Sequence, residues 1–231
     1  MVCREFRDED VRHIHGIGDK NVERQIAFIL KEGVPATYTP RSKVLSMSVA
    51  CGRHLSESFI IKSFHQLRYG INSNDIVTIG CDLQEVGQLV PTGYDKNGPF
   101  GEVQPRSCDS DYDAVFRGVM VGDSSMPFPW DSGLLYAGSS FGGAYDFVHI
   151  NYPDLIDMGS WGGIVQRALL NLTRRGMLSI VSLDDDILKL KELEDALRSE
   201  GECRTFPTRE FRYSLDDLHF DYGLLCAQRR E

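Results

Sequence analysis

Short apolar runs alternate with stretches of helical period from residue 43 to residue 183, and this alternation is what most limits the fold. The first run is Lys43-Val-Leu-Ser-Met-Ser-Val-Ala50. A helical pattern from about Leu55 to Leu67 follows, with Phe59, Ile60, Phe64 and Leu67 on one side. After a turn at Asn72–Asp75, Ile76-Val-Thr-Ile-Gly-Cys81 reads as a second strand ending on Asp82. Two strands joined through a helix imply a parallel pair with a right-handed crossover. Phe116–Val121, Tyr145–Ile150 and Met177–Leu183 read as further strands, and Asn21–Lys31, Trp161–Thr173 and Asp184–Ser199 as helices. Leu83–Leu89 has the composition to start another helix. Pro91–Asp113, rich in Gly, Pro, Ser and Asp, reads as a long loop of the kind that is often functional.

Near the end, Cys203–Tyr213 and His219–Gln228 are strand-like with no helix between them, so they are expected to pair as an antiparallel hairpin at one edge. The expected fold class is α/β: a Rossmann-like, doubly wound, mostly parallel seven-stranded sheet with that edge hairpin. The 231 residues suit one such domain, with 1–42 as an N-terminal helical segment or lid and 43–231 as the domain proper.

Bulk properties narrow the function classes. Apolar residues are 42% and charged residues 26%, a globular balance. No apolar run reaches the length of a membrane span, and Met1–Asp10 lacks the apolar core of a signal peptide, so a cytoplasmic protein with no membrane partner is expected. The net charge of −9 argues against a nucleic-acid partner and for a small-molecule or protein acceptor. Arg174-Arg175 and Arg229-Arg230 are the densest basic spots, and doublets of this size read as solvated faces. The six cysteines include no Cys-x-x-Cys pair, His13 and His15 have no flanking ligand set, and no metal is expected. Cys81 and Cys226, in apolar runs, read as buried free thiols.

In a doubly wound sheet, ligands bind beyond the carboxyl ends of the strands, at the switch point. The residues there are Ser48, Ala50 and Gly52 after the first strand, Asp82 after the second, Asp123 after the third, and Asn151 and Asp154 after the fourth. Small residues after the first strand let a ligand approach the backbone. A carboxylate after the second can accept from both hydroxyls of a ribose. Asp123 is placed to accept from an exocyclic amine, with Met126 and Phe128 flanking the base. His149, inside a strand, is by default a core histidine.

These stretches resemble the motifs of the class I S-adenosylmethionine-dependent methyltransferases. Val44-Leu-Ser-Met-Ser-Val-Ala-Cys-Gly52 is similar to the first motif, with Ser46, Ser48 and Ala50 where the family usually carries an acid and two glycines. Ile79-Gly-Cys-Asp-Leu83 resembles the second, Val121-Gly-Asp-Ser-Ser-Met-Pro-Phe128 the third, and Tyr145-Asp-Phe-Val-His-Ile-Asn-Tyr-Pro153 the fourth. Leu172-Thr-Arg-Arg-Gly-Met-Leu178 resembles the turn before the fifth strand. The resemblance implies S-adenosyl-L-methionine as cofactor, held by Ser46, Ser48, Ala50, Gly52, Asp82, Leu83, Asp123, Ser124 and Asn151. It implies His149, Asn151 and Asp154 as acceptor-facing or catalytic groups.

The function so implied is methyl transfer to a small molecule or protein. A methyltransferase-like protein that acts as a binding partner is the alternative, motivated by the altered first motif. An RNA acceptor ranks behind both: Tyr152-Pro-Asp154 resembles tRNA guanine-N7 methyltransferases, but that family's basic residues after this point are absent. A nicotinamide oxidoreductase is disfavoured because no Gly-x-Gly-x-x-Gly follows the first strand.

Overall fold

The run at the start of the alternation becomes β2 (Val44–Val49), and all six of its residues are buried. Burial on both faces is the signature of an interior strand in a parallel sheet. Its neighbours are β3 (Ile76–Asp82) and β7 (Tyr145–Asn151), both parallel to it. A computed structural model describes residues 3–14, 22–50, 56–82, 88–95, 98–104, 118–121, 124–125, 130–131, 133–134, 144–151, 153 and 158–230.

The other strands are β1 (Arg4–Phe6), β4 (Gln88–Asp95), β5 (Gly98–Gln104), β6 (Gly118–Val121), β8 (Leu172–Leu183), β9 (Cys203–Leu215) and β10 (Leu218–Arg229). The helices are α1 (Asp8–Val11), α2 (Val22–Gly33), α3 (Ser56–Tyr69), α4 (Met158–Asn171) and α5 (Asp186–Glu200). Among the described residues the main sheet runs β1-β9-β10-β8-β7-β2-β3-β6. Strands β6, β3, β2, β7 and β8 are parallel, and β10 is antiparallel to both β8 and β9. The seven expected strands are therefore present, with the hairpin β9–β10 at one side.

Alternation along the strands sorts two cores. Leu45, Met47, Val49, Val148, Ile150, Leu178 and Ile180 face α4 and α5. Val44, Phe147, Met177, Val181 and Leu224 face α2 and α3. A half-buried ion pair joins the central strands at their amino ends. Asp146, 1% exposed, accepts from Arg41 Nε at 2.7 Å, Arg41 Nη2 at 2.8 Å and the Leu45 backbone N–H at 2.9 Å. The link before β2 is thus tied to the start of β7.

Three features differ from the sequence expectation. Residues Arg4–Phe6, too few to show a period, form β1 and extend the sheet beyond β9 in parallel. Part of the expected loop after Pro91, together with Gln88 and Leu89 from the expected helix start at Leu83–Leu89, is instead a two-stranded antiparallel sheet, β4–β5. Its two strands lie within a Gly- and Pro-rich run that hides them in the sequence. Finally, β8 begins at Leu172 rather than Met177, because the chain bulges. The step from Tyr145 to Phe147 on β7 is matched by the longer step from Leu172 to Met177 on β8. Gly176 permits this: a Cβ there would lie 3.0 Å from the Tyr145 carbonyl oxygen and 2.9 Å from Leu172 Cδ2.

The segment 1–42 contributes β1, α1 and α2, with Ile26, Ile29 and Leu30 buried against the same core as α3. Among the described residues no helix is long and apolar enough to cross a membrane. At the end of α2, Gly33 packs directly on the hairpin: an added Cβ would lie 2.4 Å from Leu224 Cδ2 and 3.0 Å from Phe211 Cζ. Gly33→Ala is expected to lower stability by about 1–3 kcal/mol, the usual cost of overpacking. Urea denaturation measures this, and an unchanged midpoint would contradict the close packing described.

Candidate cofactor-binding site

The switch point lies between β2 and β7, where the sheet proceeds to β3 and β6 on one side and to β8 on the other. Register sets which side chains meet there. Ser48 is opposite Gly80 of β3 and His149 of β7, and His149 is opposite Ser179 of β8. Ser46, Ser48, Phe147, His149 and Asn151 alternate onto the face covered by α2 and α3.

Their hydrogen bonds divide them. Ser46 Oγ donates to the Val77 carbonyl at 3.0 Å and lies 3.0 Å from Thr78 Oγ1, so its capacity is taken up within the sheet. His149 Nδ1 lies 2.9 Å from Ser179 Oγ. By contrast, Ser48 Oγ, His149 Nε2 and Asn151 Oδ1 are buried with no hydrogen-bond partner among the described residues. An unsatisfied buried polar group costs about 1–3 kcal/mol. Three such atoms lie toward the carboxyl ends of the adjoining strands β2 and β7.

His149 is fully buried, and burial pulls its pKa down to about 3. His65 of α3, bonded to Tyr38 Oη at 2.6 Å and to the Ile61 carbonyl at 2.7 Å, is pulled down to about 4 by the same cause. Both rings are neutral at pH 7, so His149 acts there by hydrogen bonding rather than by charge.

The residue that leaves β2 is Ala50 rather than glycine. Ala50 takes φ 54°, the left-handed region, which costs a residue with a Cβ about 1–2 kcal/mol. The backbone therefore adopts a glycine-like turn where the sequence has Ala.

At the other side of the site, Asp82 is the last residue of β3 and pairs with Val121 of β6. Ser124 is buried, with Oγ 3.6 Å from Cys81 Sγ. Its carbonyl accepts from Trp130 Nε1 at 3.0 Å, and the Trp130 carbonyl accepts from Tyr145 Oη at 3.0 Å. Trp130 and Tyr145, both fully buried, thus pin the segment after β6 to the start of β7. Neither was a site candidate in the sequence; the signal for Trp130 is its apolar run, Pro127-Phe-Pro-Trp130, just after the third motif. Gly52, Leu83, Asp123 and Asp154 lie outside the described residues, as do Met126, Phe128 and Tyr152.

No protein-family model matches the chain. No curated protein matches it either. Solved structures do: a precorrin-6y methyltransferase from Geobacter metallireducens superposes with a TM-score of 0.51 over 96% of this chain and 96% of that one, at 8% identity. The chain shares the fold of that methyltransferase. A SAM-dependent methyltransferase from Anabaena variabilis is similar at 12% identity and a TM-score of 0.48, covering 91% of this chain and 96% of its own. An rRNA methylase from Streptococcus thermophilus is similar at 10% identity and a TM-score of 0.45, covering 94% and 100%. At such identities the likeness is one of fold. Within the methyltransferase fold, the unpartnered atoms of Ser48, His149 and Asn151 occupy the carboxyl ends of the two strands flanking the switch point.

The two neutral histidines make stability depend on pH. Their folded pKa values lie below the unfolded value, so the unfolded chain takes up protons first as pH falls. Stability is full above about pH 6.5 and is lost as pH falls from there toward 4. Two such groups give a slope of at most ~2.7 kcal/mol per pH unit. His149→Gln is expected to halve the histidine part of that slope between pH 6.5 and 5, read from urea midpoints. Parallel pH profiles for variant and wild type would contradict the buried, neutral assignment.

Proposed function

We propose that the protein binds S-adenosyl-L-methionine at the carboxyl ends of β2, β3 and β7 and transfers its methyl group to a small-molecule or protein acceptor. The observation that carries this reading is the trio of buried, unpartnered atoms on Ser48, His149 and Asn151. Ser48 Oγ and Asn151 Oδ1 are acceptors suited to the ammonium of the cofactor's amino-acid end, where a carboxylate in the first motif is missing. Asp82, at the end of β3, accepts from the ribose hydroxyls. Asp123, with Leu83 and Ser124, borders the adenine. Ala50 and Gly52 bring the backbone close. The bound cofactor supplies an electrophilic methyl on a sulfonium, so the protein's task is to align a nucleophile with it. Asn151 orients that nucleophile, and Asp154 takes its proton where the acceptor must lose one. His149, neutral and bonded to Ser179, holds position beneath them.

Charge at the site end of the sheet supports the acceptor class. Asp184, Asp185 and Asp186 follow β8, Asp216 and Asp217 form the tip between β9 and β10, and Asp8, Glu9 and Asp10 make α1. All these elements end at the carboxyl edge of the sheet. Such an edge attracts cationic or neutral acceptors and repels a phosphate backbone.

A second reading, a methyltransferase-like protein without methyl transfer, is favoured by Ala50 standing in the strained turn and by Ser46 being committed to the sheet. The two readings separate on turnover, and a folded chain that ignores the cofactor yet co-purifies with a partner favours the second.

S-adenosylhomocysteine is expected to raise the melting temperature, since a ligand at 100 times its Kd adds about 2.7 kcal/mol. Asp82→Ala and Ser48→Ala are expected to weaken binding at least tenfold in calorimetry. No thermal shift at millimolar ligand, with folded protein, would sink the proposal; binding without any methyl transfer across an acceptor panel would leave the second reading.

A further inference from the structure

Two arginine doublets far apart in sequence meet at the end of the sheet opposite the candidate site. Strand β10 runs antiparallel to β8, pairing Ala227 with Leu178 and Cys226 with Ser179. Continuing that register brings Arg229-Arg230 beside the bulge that carries Arg174-Arg175. Arg204 joins them from the start of β9, where it pairs with Gln228. Arg167 joins from the last turns of α4: Arg229 Nη1 reaches the Leu170 carbonyl, one turn beyond it, at 3.4 Å. All of these arginines except the half-buried Arg167 are exposed.

The cluster is not neutralised locally. Among the described residues none of the six arginines forms an ion pair within 4.0 Å. Among the described residues the nearby carboxylates include Glu200 and Glu202, and Glu202 accepts from Gln166 at 3.0 Å; Glu231 follows Arg230 in the sequence. The cluster contains no lysine. Planar guanidinium forks match phosphate oxygens in pairs, which an ammonium does not. One arginine carries an aromatic neighbour: the Arg204 guanidinium sits 4.9 Å from the centre of the half-buried Phe206 ring, on the sheet face that α2 covers, while Arg229 reaches α4 on the other face. Arginines beside an accessible ring are the elements from which sequence-tolerant single-strand sites are built.

We propose that this arginine collar is a docking surface for a single-stranded nucleic-acid backbone, separate from the methyl-transfer site. The length of β7 and β8 puts it about 20–25 Å from the switch point, at some 3.3 Å per residue. The acidic carboxyl edge keeps the phosphates away from that mouth, so the nucleic acid bound here is an anchor rather than the methyl acceptor. The proposal does not rest on methyl transfer, and its test needs no cofactor.

Fluorescence anisotropy of the full chain with a labelled 20-nucleotide RNA, and with the matching DNA, reads it directly. Binding is expected at low salt, with a log–log salt slope of about −2 to −4, since each single-strand phosphate neutralised contributes about −0.7. R174E/R175E and R229E/R230E are each expected to weaken binding at least tenfold while melting temperatures stay unchanged. R174K/R175K is expected to weaken it less than charge reversal does. The proposal is overturned by no binding at tens of micromolar protein, or by charge reversal without effect. It is equally overturned if anionic phospholipid vesicles or poly-glutamate bind as tightly as the oligonucleotide.

Discussion

The parallel pairing of β2 with β7 sets Ser48 against His149 and divides the sheet into a half running to β6 and a half running to the terminal hairpin. The Asp146–Arg41 pair secures it at the amino end, where Asp146 also accepts from the Leu45 backbone. Asp146 is the buried member and Arg41 is partly open to solvent, so the pair fixes the geometry there more than it adds stability. At the carboxyl end the same pairing leaves polar atoms buried without described partners. The strands are thus held together at one end and, among the described residues, carry buried polar atoms without partners at the other, which is where the proposed ligand site lies.

Much of the fold is legible in the sequence because the central strands are buried on both faces. Val44–Val49 and Tyr145–Ile150 read as strands from their apolar, β-branched and aromatic content alone. The hairpin β9–β10 is legible from strand-like runs with no helix between them. Strand β1 is not: three residues carry no period, and its pairing with β9 depends on a strand about 200 residues later in the chain. The β4–β5 sheet was masked by Pro91 and Gly93, which flank a register shift within it.

The strand-end positions are legible in the sequence, but the contacts their side chains make are not. Strand-end logic picks out Ser48, Ala50, Asp82 and Asn151 from their place in the alternation. It does not reveal that Ser46 spends its hydroxyl on the Val77 carbonyl and Thr78, or that His149 is locked to Ser179 and neutral. Those facts depend on cross-strand register, and a one-residue slip would reverse them. Nor does sequence bring Arg174-Arg175 to Arg229-Arg230; only the β8–β10 register does that. The result is a molecule with an acidic carboxyl edge and a basic amino edge, hidden within a net charge of −9.

The most direct test of the central claim is a crystal structure of the full chain grown with S-adenosylhomocysteine. The expected result is ligand density at the carboxyl ends of β2, β3 and β7, with polar ligand atoms in hydrogen-bond reach of Ser48 or Asn151 and the ribose at Asp82. A cleft without ligand at saturating concentration, or density elsewhere on the molecule, would contradict it.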